Sequence, residues 1–460
     1  MISVSLASLA QAVEGQLIGS DTTISEVSTD TRNIAAQTLF VALKGERFDA
    51  HDFCQTAKDN GAVALLVSRH LPVELPQILV KDTRIALGLL GAWLKAQLTQ
   101  QCGLQTLALT GSCGKTTVKE MCAAILATKG KVLATAGNFN NDIGAPLTLL
   151  RLTPEYQYAV IELGANHLGE ISYTTNLVKP DVALINNLAA AHLEGFGSLK
   201  GVAKAKGEIF EGLAKGATAV INLASNDREL WAPLLADKNV ITFSSEEQAD
   251  FFASDIELDS DGYPHFELHS PQGSVAIHLS QLGLHNVSNA LAAAALTSVL
   301  GATLAEIKQG LETATNVKGR VAVSQPMVGL RVIDDTYNAS VASVKAAIDL
   351  LASYQGQRWF ILGDMAELGE ESENLHREVG LYAQTKGLDK VMTFGKASAV
   401  VSELNHGQHF ADKQPLIAMV NELLNDQINQ QNPLEVTVLV KGARSSRMEE
   451  VVAALQEYKQ

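Results

Sequence analysis

Short apolar runs alternate with longer amphipathic runs along most of the chain. The strand-like runs are residues 107–110, 158–164, 182–188, 217–223, 358–365, 390–395 and 437–442. Helical patterns such as residues 118–130 lie between them. Strands that alternate with helices are typical of parallel sheets covered by helices, so the pattern predicts an α/β protein.

The pattern changes at three places along the chain, near residues 81–84, over residues 251–280 and near residues 313–318. Residues 38–53 and 61–68 precede any glycine-rich loop and predict a small separate α/β domain. A helical pattern over residues 85–98 then marks the start of a second domain. Residues 251–280 alternate apolar and polar positions around turn signals, which predicts an antiparallel extension inside the second domain. The predicted domains are residues 1–82, 83–314 and 315–460.

Composition sets limits on size and partners. At about 150 residues per domain, the length of 460 residues agrees with three domains, and 47% hydrophobic residues suffice for a core in each. The formal net charge of -15 disfavours nucleic acid as a partner. Small anionic ligands would need local donors such as helix N-termini, Lys or Arg.

Cysteine content and hydropathy predict a cytoplasmic chain without a membrane span. The four cysteines form no CxxC pair and show no zinc spacing, which is typical of a reducing compartment. Residues 1–15 lack the basic and apolar regions of a signal peptide. The Ala-rich stretch 290–305 contains Thr, Ser and Gly, and predicts a buried helix.

The motif TGSCGKTT, residues 110–117, lies between a predicted strand and a predicted helix. Glycines let backbone N–H groups surround a phosphate at a helix N-terminus. Lys115 is then placed for the β- and γ-phosphates, and the Thr116 hydroxyl for Mg²⁺. Leu109 stands where the general P-loop pattern has glycine. The alternative is an ordinary glycine-rich turn, and a P-loop alone indicates a nucleotide without defining the reaction.

Three further groups follow other predicted elements. Glu162 ends an apolar strand, where a carboxylate is suited to hold Mg²⁺ opposite the P-loop, although a solvated carboxylate is the alternative. His192 and Glu194 follow the next strand, and a structural histidine is equally compatible with that position. Lys204 and Lys206 lie on a predicted helix whose simplest interpretation is a solvated face.

Together these motifs resemble the Mur ligases, a family of three-domain, ATP-dependent enzymes that form amide bonds. The resemblance covers nearly the whole chain. It rests on residues 110–117, 161–171, 186–210, 283–293 and 334–340. Within the family, residues 30–53, 137–152, 362–380 and 439–452 resemble the members that add D-alanyl-D-alanine, and Gly363-Asp364-Met365 stands in place of the Asp-Asn-Pro-Arg signature of the diaminopimelate- or lysine-adding relatives.

The resemblance implies a fold and a set of ligands. A central P-loop parallel-sheet ATPase domain is expected between a small N-terminal α/β domain and a C-terminal Rossmann-like α/β domain. The implied substrates are ATP, UDP-N-acetylmuramoyl-tripeptide and D-alanyl-D-alanine, joined through an acyl phosphate in the assembly of peptidoglycan. A monomer is expected, with Mg²⁺ at two sites and a CO2-derived carbamate on Lys206.

The resemblance also implies roles for individual residues. The expected catalytic set is Lys115, Glu162, His192 and Lys206, of which the last three hold metal together with Thr116. The expected ATP-binding residues are Gly111, Ser112, Cys113, Gly114, Lys115, Thr116, Thr117, Asn286, Asn289, Arg320 and Asp335. The expected UDP-substrate residues are Thr31, Arg32, Lys44, Phe48, His51, Asn138, Asn140 and Asn141. The dipeptide side is expected at Lys441, Arg444 and Ser445.

Three alternatives are distinguishable. Another ligase of the superfamily, such as a folylpolyglutamate synthase or a different Mur step, should lack the first-domain motif at residues 38–53. A nucleotide-dependent switch would turn over ATP without responding to a UDP-muramoyl peptide. A dehydrogenase would carry GxGxxG after the first strand of a domain, and this chain does not.

Overall fold

The computed structural model describes residues 1–189, 193–225, 227–315, 317–428 and 434–458. In these residues it forms an α/β protein with three larger sheets and one small two-stranded sheet. No helix among them combines the length and apolar character that a membrane crossing requires. Cys54, Cys102, Cys113 and Cys122 are all free thiols.

The N-terminal part contains short strands around one five-stranded sheet. Its strands are Val4–Ser5 (β1), Gln16–Ile18 (β2), Thr23–Ile24 (β3), Glu26–Ser28 (β4), Thr38–Val41 (β5), Ala64–Val67 (β6) and Gln77–Leu79 (β7), and its α-helices are Leu6–Ala12 (α1) and Cys54–Asp59 (α2). The sheet order is β2-β7-β6-β5-β4, and β5 and β6 are buried at every position. Burial on both faces explains why these strands are continuous apolar runs.

A nine-stranded sheet forms the middle of the chain. Its strands are Gln105–Thr110 (β8), Val132–Ala134 (β9), Tyr158–Glu162 (β10), Val182–Ile185 (β11), Thr218–Asn222 (β12), Asn239–Ser244 (β13), Phe251–Leu258 (β14), Pro264–Ser270 (β15) and Gly273–His278 (β16). The order is β16-β15-β14-β13-β12-β11-β8-β10-β9. Pairing is parallel from β9 to β14 and antiparallel from β14 to β16, which confirms the predicted antiparallel extension.

Helices cover both faces of the central sheet. They are Thr83–Cys102 (α3), Lys115–Ala127 (α4), Gly144–Leu149 (α5), Glu170–Val178 (α6), Leu193–Phe196 (α7), Leu199–Gly207 (α8), Ala232–Leu235 (α9), His285–Val299 (α10) and Leu304–Thr313 (α11). One apolar core lies under α4, α10 and α11, and a second joins α3, α5 and α6 to the N-terminal sheet. The Ala-rich stretch is the buried α10, as predicted, and it ends before Gly301.

The C-terminal part is a six-stranded sheet between two helical layers. Its strands are Ala322–Met327 (β17), Leu330–Asp335 (β18), Gln357–Gly363 (β19), Lys390–Phe394 (β20), Gln408–Phe410 (β21) and Val436–Lys441 (β22), and its helices are Val341–Ser353 (α12), Ser372–Lys386 (α13), Ala399–Leu404 (α14), Lys413–Ile428 (α15) and Glu449–Gln456 (α16). The order is β17-β18-β22-β19-β20-β21, with only β17 antiparallel to its neighbour. Each face carries its own apolar core.

Candidate active site

The P-loop connects the central strand β8 to α4. Gly114 has φ +76°, and a Cβ built there would lie 2.5 Å from Asn289 Oδ1 and 2.7 Å from Asn186 Nδ2. A side chain at this position would therefore be both strained and crowded. The glycine lets the loop close tightly against its neighbours, so that the N-terminus of α4 opens toward a cavity.

Two asparagines after β11 hold the loop in shape. The Cys113 N–H donates to Asn187 Oδ1 at 2.8 Å, and Asn186 Nδ2 donates to the Cys113 carbonyl at 3.0 Å. The Ser112 N–H donates to the Asn187 carbonyl at 3.0 Å. Neither asparagine was among the predicted site residues, although two amides directly after a buried strand are a signal that could have identified them.

Lys115 turns back over the loop that carries it. Its Nζ donates to the Gly111 carbonyl at 2.8 Å. Burial lowers the pKa of Lys115, and the nearby Glu162 carboxylate opposes that shift. An ammonium at the mouth of the loop adds positive charge to the N–H groups around it.

The end of β10 faces the first turn of α4. The Thr116 hydroxyl donates to Glu162 Oε2 at 3.0 Å, and Asn140 Nδ2 donates to Glu162 Oε1 at 2.8 Å. Glu162 is only 2% exposed. Because β8 and β10 are adjacent parallel strands, their carboxyl ends bring the P-loop and this carboxylate together.

The oxygen atoms of Thr116 and Glu162 fit a hard divalent cation. Mg²⁺ in nucleotide sites takes one or two protein carboxylates and completes its shell with water and phosphate oxygens. Within the described residues, no three His, Cys, Asp or Glu side chains form a cluster that could hold a metal by themselves. The chain thus offers part of an Mg²⁺ shell and leaves the remainder to other oxygens.

Lys206 is a buried lysine within electrostatic range of Glu162. It lies at the end of α8, is 1% exposed, and places its Nζ 5.5 Å from the centre of the Phe196 ring. Burial, and after it the positive charge of Lys115, lower the pKa of Lys206 to about 7. Lys204, on the same helix, is exposed. The two lysines that the sequence left open thus have opposite environments.

Two asparagines of α10 form another wall. Asn286 Nδ2 donates to the Leu282 carbonyl at 2.7 Å, and Asn289 Nδ2 donates to Asn286 Oδ1 at 2.7 Å. Asn289 Oδ1 in turn accepts a hydrogen bond of 2.9 Å from Asn186. The chain of amides fixes the orientation of both side chains.

His192, predicted beside a second metal position, lies outside the described residues.

The C-terminal part supplies the opposite wall. The Arg320 guanidinium lies over the Tyr337 ring, 4.2 Å from its centre, and the buried Arg320 Nε has no hydrogen-bond partner among the described residues. Lys441 Nζ donates to the Asp335 carboxylate, and also to the Asn338 carbonyl at 3.0 Å. Lys441, predicted on the dipeptide side, is therefore ion-paired with a residue predicted to contact ATP.

These walls enclose a single cavity of about 570 Å³. The predicted residues that line it are Ser112, Cys113, Gly114, Lys115, Thr117, Asn140, Glu162, Asn286, Asn289, Arg320, Asp335 and Lys441. Across it, Cys113 Sγ lies 3.1 Å from Ser340 Oγ, at the start of α12. The central and C-terminal parts therefore meet directly at the P-loop.

Other predicted residues lie away from this cavity. Thr31 is half-buried, and Arg32, Lys44 and Phe48 are exposed on the N-terminal part. Arg32 pairs with its neighbour Asp30.

His51 is 3% exposed and uses both ring nitrogens internally, one with Asp49 and one accepting from the Ser68 N–H at 2.9 Å. Both ring nitrogens are thus engaged within the N-terminal part, and the role of His51 at the uridine nucleotide stays a prediction. The side chain ties the segment after β5 to the end of β6.

The remaining predicted asparagines and the C-terminal candidates also differ in setting. Asn138 is exposed, while Asn141 Oδ1 accepts the Gly144 N–H at 2.8 Å and so supports the start of α5. Arg444 and Ser445 are exposed, and Arg444 pairs with Glu449 at 3.0 Å. Of the three residues predicted on the dipeptide side, Lys441 alone is among the cavity residues.

Comparison with family models covers most of the chain. Residues 23–90 match the model described as Mur ligase family, catalytic domain, residues 109–297 the Mur ligase middle domain, and residues 319–458 the Mur ligase, glutamate ligase domain. The chain belongs to the Mur ligase family.

Relatives within the family are similar over the full length. The UDP-N-acetylmuramoyl-tripeptide--D-alanyl-D-alanine ligase of Escherichia coli is 53% identical over 459 residues, which are 99% of each chain. A crystal structure of MurF from Acinetobacter baumannii is 37% identical and has a TM-score of 0.94, and the match covers 100% of this chain and 100% of that one. The MurF ligase of Thermotoga maritima in complex with ADP is 27% identical with a TM-score of 0.81, over 94% of this chain and 97% of that one.

Proposed function

We propose that this chain ligates D-alanyl-D-alanine to UDP-N-acetylmuramoyl-tripeptide at the expense of ATP, giving the UDP-muramoyl-pentapeptide of peptidoglycan synthesis. The observation that carries the proposal is the cavity that the P-loop, α10 and the C-terminal part line together. It occurs in a chain that is 53% identical to the E. coli enzyme of that name over 99% of both sequences.

The reaction divides into two substitutions. The terminal carboxylate of the tripeptide attacks the γ-phosphorus of ATP, so that ADP leaves and an acyl phosphate forms. The amine of D-alanyl-D-alanine then attacks the acyl carbon, and phosphate and one proton leave as the amide forms. Activation is required because a carboxylate oxygen is a poor leaving group, whereas phosphate is a good one. Phosphoryl transfer depends mainly on positioning and charge neutralisation.

The P-loop supplies much of that neutralisation. Its N–H groups and the Lys115 ammonium are placed to hold the β- and γ-phosphates, and Asn186 and Asn187 keep the loop in shape through Cys113. A donor that is fixed in advance does not have to reorganise when charge develops on the transferred group. Arg320 and the Asp335–Lys441 pair would approach the nucleotide from the opposite wall.

We assign Thr116 and Glu162 as protein ligands of Mg²⁺. The bound ion would supply charge neutralisation for the phosphates during transfer. Thr116 contributes its hydroxyl and Glu162 its carboxylate, and Asn140 orients that carboxylate through a hydrogen bond of 2.8 Å. His192 remains a prediction for a second metal position.

We further propose that Lys206 is carbamylated by CO2. Carbamate formation joins the neutral lysine nitrogen to the carbon of CO2 and releases one proton, and the pKa of about 7 makes the neutral amine accessible at physiological pH. The product is an anion, which would suit the neighbourhood of Lys115 and of a divalent cation. The unmodified ammonium would instead add a cation to a buried site, which is unfavourable.

The other ligands are assigned to the flanking domains. We propose that the uridine nucleotide binds the N-terminal domain near Thr31, Arg32, Lys44, Phe48 and His51, with Asn138, Asn140 and Asn141 on its central side. The dipeptide would enter from the C-terminal domain near Arg444 and Ser445. Since ATP is consumed, we place the reaction in the cytoplasm.

The alternative of another amide-forming ligase is not favoured. Such an enzyme should lack the first-domain motif at residues 38–53, whereas the 53% identity to the E. coli relative extends over 99% of this chain and therefore includes it. The TM-score of 0.94 to MurF of A. baumannii also covers all three domains.

Phosphate release tests the proposal. The purified chain is given MgATP with UDP-muramoyl-tripeptide and D-alanyl-D-alanine, and each substrate is then omitted in turn. We expect sustained release only with both substrates, together with one pentapeptide per phosphate. Release that ignores the dipeptide would refute this ligase assignment, and release that ignores both would indicate a nucleotide-dependent switch.

A further inference from the structure

The antiparallel hairpin of β14 and β15 has a tip that the proposed chemistry does not use. Asp259 Oδ1 accepts the N–H groups of Asp261 and Tyr263, each at 2.9 Å. Gly262, between them, has φ +90°, which favours glycine. The tip, defined as residues 259–263, is therefore a turn of fixed shape at the end of the central sheet.

Asp261 of this tip accepts hydrogen bonds from two side chains of the C-terminal domain, one to its carboxylate and one to its backbone carbonyl. Arg331 of β18 donates to Asp261 Oδ1 at 3.0 Å, and the Tyr354 hydroxyl donates to the Asp261 carbonyl at 2.7 Å. The Arg331 guanidinium also lies 4.5 Å from the centre of the Tyr354 ring. Each of the three residues touches the other two, so the contact constrains both distance and rotation between the domains.

The other side of the tip contacts the nucleotide wall. The Gly283 N–H donates to the Gly262 carbonyl at 2.9 Å. Gly283 lies two residues before the start of α10, which carries Asn286 and Asn289. Leu282 packs in the apolar core of the C-terminal domain. The tip therefore joins the helix that lines one wall of the cavity to the domain that forms the opposite wall.

The same C-terminal elements lead directly into the cavity. Arg331 lies on β18, which ends at Asp335, and Tyr354 follows α12, which begins beside Ser340. Both Asp335 and Ser340 line the cavity. A rotation of the C-terminal domain would move these groups away from the P-loop, and contacts between domains of one chain are small enough for such motion to be the default.

We infer that Asp261, Arg331 and Tyr354 are positioning residues, which hold the C-terminal domain in the arrangement that completes the nucleotide cavity. The inference rests on the proposed function and deepens it. A nucleotide that requires both walls binds only those molecules in which the walls face each other. Its apparent affinity therefore falls in proportion as that fraction falls. Loosening the tip should therefore raise KM for ATP and leave binding of the UDP-substrate to the N-terminal domain unchanged.

The test compares three single variants with a double variant in which the two charges are exchanged. Asp261→Arg and Arg331→Asp each place like charges in contact, and Tyr354→Phe removes only the hydroxyl. We expect KM for ATP to rise about fivefold or more in the two charge variants and less in Tyr354→Phe. The double variant D261R/R331D, which restores opposite charges, should recover most of the loss. Lys345→Ala is the matched control, because Lys345 lies on α12, the helix that Tyr354 follows, but pairs with Glu378 inside the C-terminal domain at 2.6 Å.

Scattering and binding separate this effect from a loss of fold. With an ATP analogue and UDP-substrate, the charge variants should give a larger radius of gyration than the parent, while the UDP-substrate dissociation constant stays the same. An active parent whose charge variants keep its KM for ATP and its scattering curve would overturn the inference. Failure of the double variant to recover would also overturn it. An inactive parent would refute the proposed function instead.

Discussion

The Thr116 hydroxyl donates a hydrogen bond of 3.0 Å to the Glu162 carboxylate, which links the first turn of the P-loop helix to the end of the neighbouring strand. The pair is buried, and it provides the two protein oxygens that we assign to Mg²⁺. The contact also shows how two motifs that are separated along the chain become one site, because β8 and β10 are parallel neighbours.

Removing either oxygen should weaken the response to the metal. We expect Glu162→Gln and Thr116→Ala to lower kcat by about a hundredfold or more, since charge stabilisation in the transition state is lost. Thr116→Ser keeps the hydroxyl and should remain near the parent. The measurement is initial rate against Mg²⁺ concentration. Equal Mg²⁺ dependence in the parent and Glu162→Gln would contradict the assignment.

The two lysines of α8 provide a matched pair. Lys206→Ala should abolish ligation, and acetate or formate in solution should restore part of it by replacing the carbamate anion. Lys204→Ala should be close to the parent, because that side chain is exposed. Rates are measured with and without added carboxylate, and carbamylation is checked by mass spectrometry in bicarbonate. An active Lys206→Ala would show that no carbamate is needed.

Stacking on the Tyr337 ring should fix the orientation of the Arg320 guanidinium toward the nucleotide. The guanidinium lies 4.2 Å from the ring centre, within the range of a cation–π contact. Tyr337→Leu should raise KM for ATP about three- to tenfold, because roughly 1 kcal/mol of orientation is lost. Tyr337→Phe keeps the ring face and should bind ATP like the parent. Equal KM values for the Leu and Phe variants would contradict the stacking role.

Asp364 should contribute to stability with a defined pH dependence. Partial burial raises its pKa, but hydrogen bonds from the N–H groups of Lys396, Ser398 and Ala397 outweigh this, so the pKa is lowered overall. A lowered pKa in the folded state stabilises the protein above the ordinary pKa, and the contribution is lost as the pH falls through the folded value.

We therefore expect Asp364→Asn to lower the free energy of unfolding at pH 7 by about 1–2 kcal/mol. The difference from the parent should shrink as the pH falls below about 4. Denaturant titrations at several pH values provide the measurement. A difference that grows toward acid would have the wrong sign.

Periodicity predicted the fold class and the main strands, because buried parallel strands are continuous apolar runs. It placed the start of α4 too late, at residue 118 instead of Lys115. The first turn of that helix is Lys-Thr-Thr, whose polar side chains interrupt the apolar period, and Lys115 and Thr117 line the cavity. Local chemistry therefore concealed a helix start that the P-loop motif itself marks.

Roles that depend on strand order could not be predicted from the sequence. Asp335 and Lys441 are paired residues of the parallel neighbours β18 and β22, yet they lie 106 positions apart in the chain. Nothing in either motif indicates that register, so the two were assigned to different ligands. Two amides directly after a buried strand marked Asn186 and Asn187 as candidates, but their partner Cys113 could not be predicted, since that contact exists only because β11 lies beside β8.

The fate of the carboxylate oxygens tests the central claim most directly. UDP-muramoyl-tripeptide is prepared with a heavy isotope in both oxygens of the terminal carboxylate that receives the dipeptide, and the phosphate released during ligation is analysed by mass spectrometry. Transfer of the γ-phosphoryl group to that carboxylate predicts one heavy oxygen in each phosphate and one in the new amide. Unlabelled phosphate, or label recovered in AMP, would contradict the acyl phosphate route.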